Sequence, residues 1–198
     1  TFRGPQPSYT SGQTKENQWG WLEIYPQNGY TKRADGTFEE ATVGVAANHS
    51  YIRDRLAPMN DEYAMGRSYT SLLGQDKMPG AYKYGYFFSE QLERALEIDP
   101  ELMFIDGWNE WIAGRYQQWN GVSNAFPDAY DNEGSRDMEP TKGDMKDNYY
   151  ALLVDAIRKF KGTEKREIAG AEKTIDIYDF SGWNLVTPTF FGYKGKYD

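Results

Sequence analysis

The feature that most constrains this sequence is a short apolar run that ends abruptly in polar and aromatic residues. Residues 102–105 (Leu-Met-Phe-Ile) are followed at once by residues 106–111 (Asp-Gly-Trp-Asn-Glu-Trp). An unbroken apolar run of this length is typical of a buried parallel strand. In β/α barrels, catalytic side chains lie at the carboxyl ends of such strands. The run therefore predicts a strand with a functional site directly after it.

Two helices are predicted around this strand. Residues 89–99 carry apolar side chains at helical spacing, with Ser89 as the N-cap and a proline after the last turn. Residues 148–161 form the second helix, with Asp147 as its cap and basic residues in its last turn. Its apolar face is predicted to consist of Tyr150, Leu153, Val154, Ile157 and Phe160.

The remaining patterns predict shorter elements. Residues 19–26 and 41–47 read as strands, and residues 51–57 as a weak helical segment that stops at a proline. Residues 115–146 read as a long acidic loop, a length at which loops are often functional. Residues 174–180 alternate in the manner of another strand.

This order of elements predicts an α/β fold. About three α/β steps are visible, whereas a closed barrel needs eight strands and roughly 250 residues. Residues 1–162 are therefore predicted to be the C-terminal portion of a (β/α)8 TIM-type barrel, completed by a missing N-terminal half as partner. Residues 163–198 are predicted to be a linker and the first strands of a β-sandwich-like appendage. The alternative is a smaller open α/β sheet.

Composition restricts the class of partner. The net charge of −8 argues against nucleic acid and anionic membranes as partners. No apolar stretch approaches the roughly 20 residues of a membrane span. The aromatic content of 16% fits a carbohydrate ligand, and also fits a tyrosine-rich core. The chain begins at Thr1 without a signal peptide, so a processed or excised piece is expected.

No cofactor and no metal site are predicted. The sequence has no cysteine and a single histidine, which cannot form a zinc site alone. It also lacks a phosphate-binding loop and a dinucleotide fingerprint.

The polar residues after the strand suit sugar chemistry. Glycoside hydrolysis uses two carboxyl groups roughly 5–10 Å apart. Glu110 is the first choice, because the tryptophans on either side would raise the pKa of its carboxyl group. Asp106, Glu139 and Glu23 are the other catalytic candidates, and Glu139 is held extended by the proline that follows. Structural hydrogen bonding and packing are the alternative roles.

Further side chains are predicted to bind the sugar. Tryptophan faces stack on sugar rings, while amide, guanidinium, imidazole and carboxylate groups bind hydroxyl groups. These candidates are Trp108, Trp111, Asn109, Arg115, His49 and Asp137.

Residues 107–114, followed by Met138-Glu139-Pro140, resemble a known signature. It is the Trp-Asn-Glu-Trp-x-Glu-Gly … Leu-Glu-Pro pattern of glycoside hydrolase family 99-like proteins. The wider stretch is similar to family 99-like or family 71-like barrels in large secreted proteins of polysaccharide-degrading bacteria. The resemblance covers about residues 19–162. It implies a (β/α)8 barrel, an extracytoplasmic location (periplasm, cell surface or secreted), and glycosidase activity with Glu110 in the catalytic pair.

One position departs from that pattern. The family has a second catalytic Glu three residues after the first, and here that position is Ala113. One possibility is that Glu139, Asp106 or Glu23 supplies the missing carboxylate. The other is that the protein binds glycan without cutting it, alone or as a component of a glycan-uptake complex.

Overall fold

A computed structural model describes residues 19–20, 22–111 and 114–162 of the chain. The chain divides into two units, Thr1–Glu164 and Lys165–Asp198, and every described residue belongs to the first unit. The predicted appendage at 163–198, with its strand at 174–180, lies outside the described residues. So does Ala113.

The described residues form short strands and two α-helices. The strands are β1 (Tyr30–Lys32), β2 (Phe38–Val43), β3 (Ala47–Ser50), β4 (Arg55–Leu56), β5 (Ala64–Met65), β6 (Tyr69–Thr70), β7 (Gly74–Gln75), β8 (Leu102–Ile105), β9 (Tyr116–Trp119) and β10 (Val122–Ala125). The helices are α1 (Tyr86–Ile98), α2 (Asn148–Lys161) and a 3-10 turn at Ala81–Lys83.

The central unit of the fold is a pair of parallel strands joined through a helix. β2 and β8 are parallel, with Val43 beside Ile105, and α1 immediately precedes β8. β1 pairs antiparallel with the other edge of β2. The N–H of Asp106 donates to the carbonyl oxygen of Val43 at 2.9 Å, so the pairing continues one residue beyond β8. The predicted strand at 102–105 and the α/β step into it are confirmed.

The two faces of this sheet differ. Ala41 and Val43 are buried in one cluster with Leu92 and Ala95 of α1, and Tyr149 and Ala156 of α2 belong to the same cluster. Apolar burial on this face, at about 25 cal/mol per Å², is the main force that holds both helices to the sheet.

On the opposite face β8 is exposed, although Glu40 and Thr42 of β2 are buried there, and one edge of the sheet has no partner strand among the described residues. Leu102 is 41% exposed and Phe104 is 37% exposed, and within the described residues β8 pairs only with β2. Parallel sheets are normally covered on both faces. The described residues form no closed barrel, so the predicted barrel remains a prediction.

The helices are close to their predicted positions. α2 spans the predicted residues, and Leu153 of the predicted apolar face packs against the core. The fully buried residues of α2 are instead Tyr149 and Ala156, and Ile157 of the predicted face is exposed, so that face was wrong in part. Its cap Asp147 makes no side-chain capping hydrogen bond. α1 starts three residues before Ser89, after Gly85 in a left-handed conformation, because Phe87 and Phe88 add to its buried face.

Three of the short predictions were wrong. No described residue of 19–26 is in a strand, because side chains take its backbone groups; Gln91, for example, binds the carbonyl oxygen of Glu23. The predicted strand 41–47 is interrupted at residues 44–46. Residues 51–57 form a single turn and β4, since Asp54 has a φ of 46° and Leu56 pairs with His49.

The long acidic loop contains a hairpin that was not predicted. β9 and β10 pair antiparallel around Asn120-Gly121, whose φ values of 49° and 86° are those of a type I′ turn. Among the described helices, none has the length and apolarity needed to cross a membrane.

Candidate functional site

The site lies where β8 ends, and a second segment folds back against it. We call residues 135–140 the return segment. The N–H of Met138 donates to the carbonyl oxygen of Gly107 at 3.2 Å, and that of Glu139 to Trp108 at 2.9 Å. Gly107 has a φ of 86°, and a Cβ atom there would overlap the carbonyl oxygen of Arg136. Glycine is therefore required for this close approach.

Arg136 is the centre of the site. Its guanidinium group bonds Asp128, with Nε 2.8 Å from Oδ1, and lies 3.7 Å from Asp106 Oδ2 and 3.7 Å from Glu110 Oε2. Arg136 itself is buried. We call Arg136, Asp106, Glu110, Asp128 and Asp137 the Arg136 cluster. A planar guanidinium group has five N–H donors, which lets it serve several carboxylates at once.

Asp106 and Glu110 form the pair best suited to carboxylate chemistry. Because both contact one guanidinium group, their carboxyl groups lie at most roughly 10 Å apart, the range used by glycosidases. Burial raises the pKa of Asp106 to about 6; Arg136 opposes this, while Asp128 and Glu110 add to it. A carboxyl group with that pKa retains a proton close to neutral pH, as a general acid must.

The environment of Glu110 differs from the predicted one. Its side chain is 66% exposed, and Trp108 beside it is exposed as well. The expected apolar walls around this carboxyl group are therefore absent from the described residues. Burial, which was expected to act on Glu110, acts on Asp106 instead.

Asp137 is a buried carboxyl group that holds the main chain of the site. It is fully buried, and its Oδ1 accepts a hydrogen bond from the main-chain N–H of Glu110 at 2.7 Å. Burial, together with the neighbouring charge of Asp128, raises the pKa of Asp137 to about 7. Asp137 was predicted to bind sugar, but as placed it holds protein backbone.

Arg67 fixes the return segment from the other side. Its Nε donates to the carbonyl oxygen of Ser135 at 3.0 Å, and Nη2 donates to that of Asp137. Its guanidinium carbon lies 4.4 Å from the ring centroid of Tyr149, a cation–π contact. The sequence assigned no role to Arg67, because its partners are about 70 residues away along the chain.

A cleft of about 280 Å³ borders the return segment. Trp111 and Glu139 line it, and the indole Nε1 of Trp111 donates to Glu139 Oε2 at 2.9 Å. Tyr130 and Lys142 lie on the cleft as well. Aromatic and charged groups around a cavity of this size suit a single sugar ring or another small polar ligand.

The other predicted sugar-binding residues near the strand end are exposed. The ring of Trp108 lies edge-on to Tyr150, with centroids 6.2 Å apart, and Asn109 is exposed beside it. Arg115 does not turn toward the carboxylates, because its Nη2 donates to Asn124 Oδ1 at 2.6 Å in the hairpin.

Two candidates lie elsewhere. Glu23 is buried and accepts hydrogen bonds from Tyr30 and from the N–H of Asn28. We call Glu23, Tyr30, Glu40 and Thr42 the Glu23 cluster. Glu40 lies beside Leu102, four residues before Asp106, which is roughly 13 Å along the strand.

His49, in β3, is also buried. Its Nε2 lies 3.5 Å from Asp54, and burial lowers the pKa of its ring. The ring as placed has no surface open to a sugar hydroxyl group. Within residues 19–20, 22–111 and 114–162, no group of three or more His, Cys, Asp or Glu is arranged to hold a metal ion.

The chain matches no family model, no curated protein and no solved structure.

Proposed function

We propose that this protein is a glycoside hydrolase-like protein that acts on a polysaccharide or oligosaccharide by carboxylate acid/base catalysis. The observation that carries the proposal is the pair Asp106 and Glu110, held by one guanidinium group at the carboxyl end of a parallel strand. Asp106 acts as the acid, and the exposed Glu110 acts as base or nucleophile.

The pair offers a replacement for the carboxylate that the family resemblance places at residue 113. Asp106 is the best of the three candidates, because its side chain is 20% exposed, has a raised pKa and shares Arg136 with Glu110. Glu139 is occupied by the indole N–H of Trp111, and Glu23 belongs to the buried cluster.

The open sheet supports a larger architecture. The free edge of β8 and the exposed Leu102 and Phe104 favour a sheet that continues beyond the described strands. We therefore keep the C-terminal part of a (β/α)8 barrel as the proposed fold. An extracytoplasmic location is proposed from the family resemblance alone, and cell fractionation of the native protein tests it.

Polysaccharide digestion tests the proposed reaction. Release of reducing ends is measured on α-mannan, β-glucan and xylan, with wild type and with the Asp106→Asn and Glu110→Gln variants. Each variant is expected to lose about 100-fold or more of the turnover, because proton transfer contributes at least that much. Glu93→Gln, on the exposed side of α1, is the matched control. Undiminished cleavage by both site variants would contradict the proposal.

A glycan-binding protein without catalysis is the second candidate. Ala113 at the family's second catalytic position and the exposed Trp108 favour it. Under this reading, affinity gels containing the same polysaccharides retard the wild type, and Trp108→Ala reduces the retardation. Tyr84→Ala removes another exposed aromatic ring, which lies outside the site, and serves as the control. Cleavage of any of the three polysaccharides would exclude this candidate.

A further inference from the structure

Two buried carboxyl groups face each other beneath the site. Asp128 is 2% exposed and Asp137 is 0% exposed. One oxygen of each is taken: Asp128 Oδ1 by Arg136, and Asp137 Oδ1 by the N–H of Glu110. The Oδ2 atom of each is buried and receives no N–H or O–H donor from another described residue. The two carboxyl groups lie close enough for a hydrogen bond between them, provided that one of them carries a proton.

A hydrogen bond between two carboxyl groups requires a proton. Ionised carboxylates only accept hydrogen bonds, so two of them cannot bond each other. Two negative charges beside a single buried guanidinium group would also leave one charge uncompensated, which is costly. With one proton between them, the pair carries a single negative charge, and Arg136 balances it.

We propose that Asp128 and Asp137 share one proton and act as a positioning pair for the site above them. Asp128 orients the guanidinium group of Arg136, which contacts Asp106 and Glu110. Asp137 fixes the backbone of Glu110 directly. Loss of the shared proton sets two like charges against each other and loosens the return segment from the end of β8.

Charged groups surround the pair on several sides: Glu110 contacts Arg136, and the cleft that Asp137 borders is lined by Asp131, Glu139, Lys142 and Lys146. Arg136 and Asp106 face it within the site, and Arg67 reaches it from the far side through the carbonyl oxygen of Asp137. Burial is the first cause that raises the pKa of Asp137 to about 7, and the charge of Asp128 is the second. The shared proton is therefore lost close to neutral pH.

The effect of pH on stability has a definite sign. From about pH 4 to about pH 7 the folded chain keeps a proton on the pair that the unfolded chain has released. The folded state then binds more protons, so its stability falls as the pH rises through this range. Asp137→Asn supplies the hydrogen permanently through its amide and removes this titration, while the amide oxygen still accepts from Glu110.

Chemical unfolding of the whole chain from pH 4 to pH 9 tests the pair without any substrate. Wild type is expected to lose stability relative to Asp137→Asn between about pH 4 and pH 7, and the difference then stays constant. The raised pKa values of Asp106, Glu40 and Glu133 cancel, since these groups titrate in both proteins. Asp155→Asn, on the exposed face of α2, should follow the wild type. Parallel curves for wild type and Asp137→Asn would overturn the proposal.

A second variant and a spectroscopic measurement guard against misfolding. Asp128→Asn can keep the bond to Arg136 through its oxygen and donate to Asp137, so it should give the same pH curve. In wild type with ¹³C-labelled aspartate carboxyl groups, nuclear magnetic resonance should show the Asp137 carboxyl signal moving near pH 7, and Asp128→Asn should change that midpoint. An Asp137 signal that titrates near pH 4 in wild type would overturn the proposal.

The consequence for activity rests on the proposed function, whereas the unfolding curves do not. If cleavage is found, its alkaline limit should move to higher pH in Asp137→Asn, and remain in place in Asp155→Asn. A limit that does not move argues against positioning by the pair. If no glycan is cleaved, the proposed function fails. The unfolding and spectroscopic measurements still test whether Asp128 and Asp137 share a proton.

Discussion

Two groups of carboxyl side chains lie at different positions along the parallel strands β2 and β8. They differ in exposure to solvent and in the groups that surround their carboxylates. The Arg136 cluster, beyond the end of β8, surrounds a cation and reaches solvent at Glu110. The Glu23 cluster, at the level of Leu102, is buried, and the described donors to its carboxyl groups include the hydroxyl groups of Tyr30 and Thr42 and the N–H of Asn28. A nearby cation favours the ionised form of a carboxyl group, whereas burial without enough counter-charge favours the protonated form.

The pKa of Glu40 expresses this difference. Burial raises it to about 8, and the charge of Glu23 adds to the effect, with only hydrogen bonds such as that from Thr42 to oppose it. In the Arg136 cluster, the guanidinium group opposes burial, and the pKa of Asp106 rises only to about 6. The Glu23 cluster is therefore expected to serve the fold, whereas the Arg136 cluster combines an exposed carboxyl group, Glu110, with the raised pKa of Asp106.

Removal of the cation should have the largest effect. Arg136→Met leaves Asp128 and Asp137 buried without their counter-charge, and we expect a loss of about 3–5 kcal/mol in the free energy of unfolding. Urea denaturation at pH 7 measures it. Arg158→Met, an exposed partner of Asp155 on α2, should cost less than about 0.5 kcal/mol. Equal losses in the two variants would remove the distinction between the clusters.

Neutralisation of Glu40 should change how stability depends on pH. Wild type holds a proton on Glu40 that the unfolded chain releases, so its stability falls between about pH 4.5 and pH 8. Glu40→Gln lacks this fall, and the difference between the two proteins should grow by as much as about 5 kcal/mol across the range. Unfolding curves at several pH values measure it, and a difference that does not vary with pH would contradict the closed character of the cluster.

The close approach at Gly107 should be sensitive to a single methyl group. Gly107→Ala adds a strained backbone and an overlap with Arg136, so we expect a loss of about 2–3 kcal/mol in stability and a displaced return segment. Gly36→Ala is the control, because Gly36 has a similar φ of 91° with open space around it. Its cost should be about 1 kcal/mol, from the backbone alone. Thermal unfolding of both variants separates the overlap from the strain.

The smallest effect is expected at Glu23. Glu23→Gln exchanges one acceptor for a donor opposite Tyr30 and the N–H of Asn28, which should cost about 1–2 kcal/mol. Turnover per folded molecule should not change, in contrast to Glu110→Gln. A loss of turnover without a loss of stability would give Glu23 a role in catalysis. The two clusters would then no longer differ in function.

Local patterns predicted the parts of the fold that depend on neighbouring residues. The bounds of β8 and α2 follow from apolar periodicity, and those predictions are confirmed. Asn120-Gly121 carried an equally local turn signal, and the hairpin could have been found from it. The predicted strand at 19–26 failed because Gln91, nearly 70 residues away, takes its backbone bonds.

Local sequence patterns predicted only some of the residues of the candidate site. Asp106, Glu110 and the return segment stand out because they combine polar groups with a strand end. Arg136 and Arg67 hold the site through contacts between segments that are far apart along the chain. No regular spacing of residues in the sequence indicates such contacts. The burial that sets the pKa of Asp106 is likewise a property of the packed chain, so sequence placed the acid at Glu110 instead.

The sharing of one guanidinium group has a consequence for how mutational energies combine. Asp106, Glu110 and Asp128 all contact Arg136, so each single substitution also changes the field felt by the other two. Residues joined in one network show interaction energies of about 0.5–3 kcal/mol. The free-energy losses of single variants at this site will therefore not be additive. Double-mutant cycles that include Arg136 measure how strongly its partners are coupled.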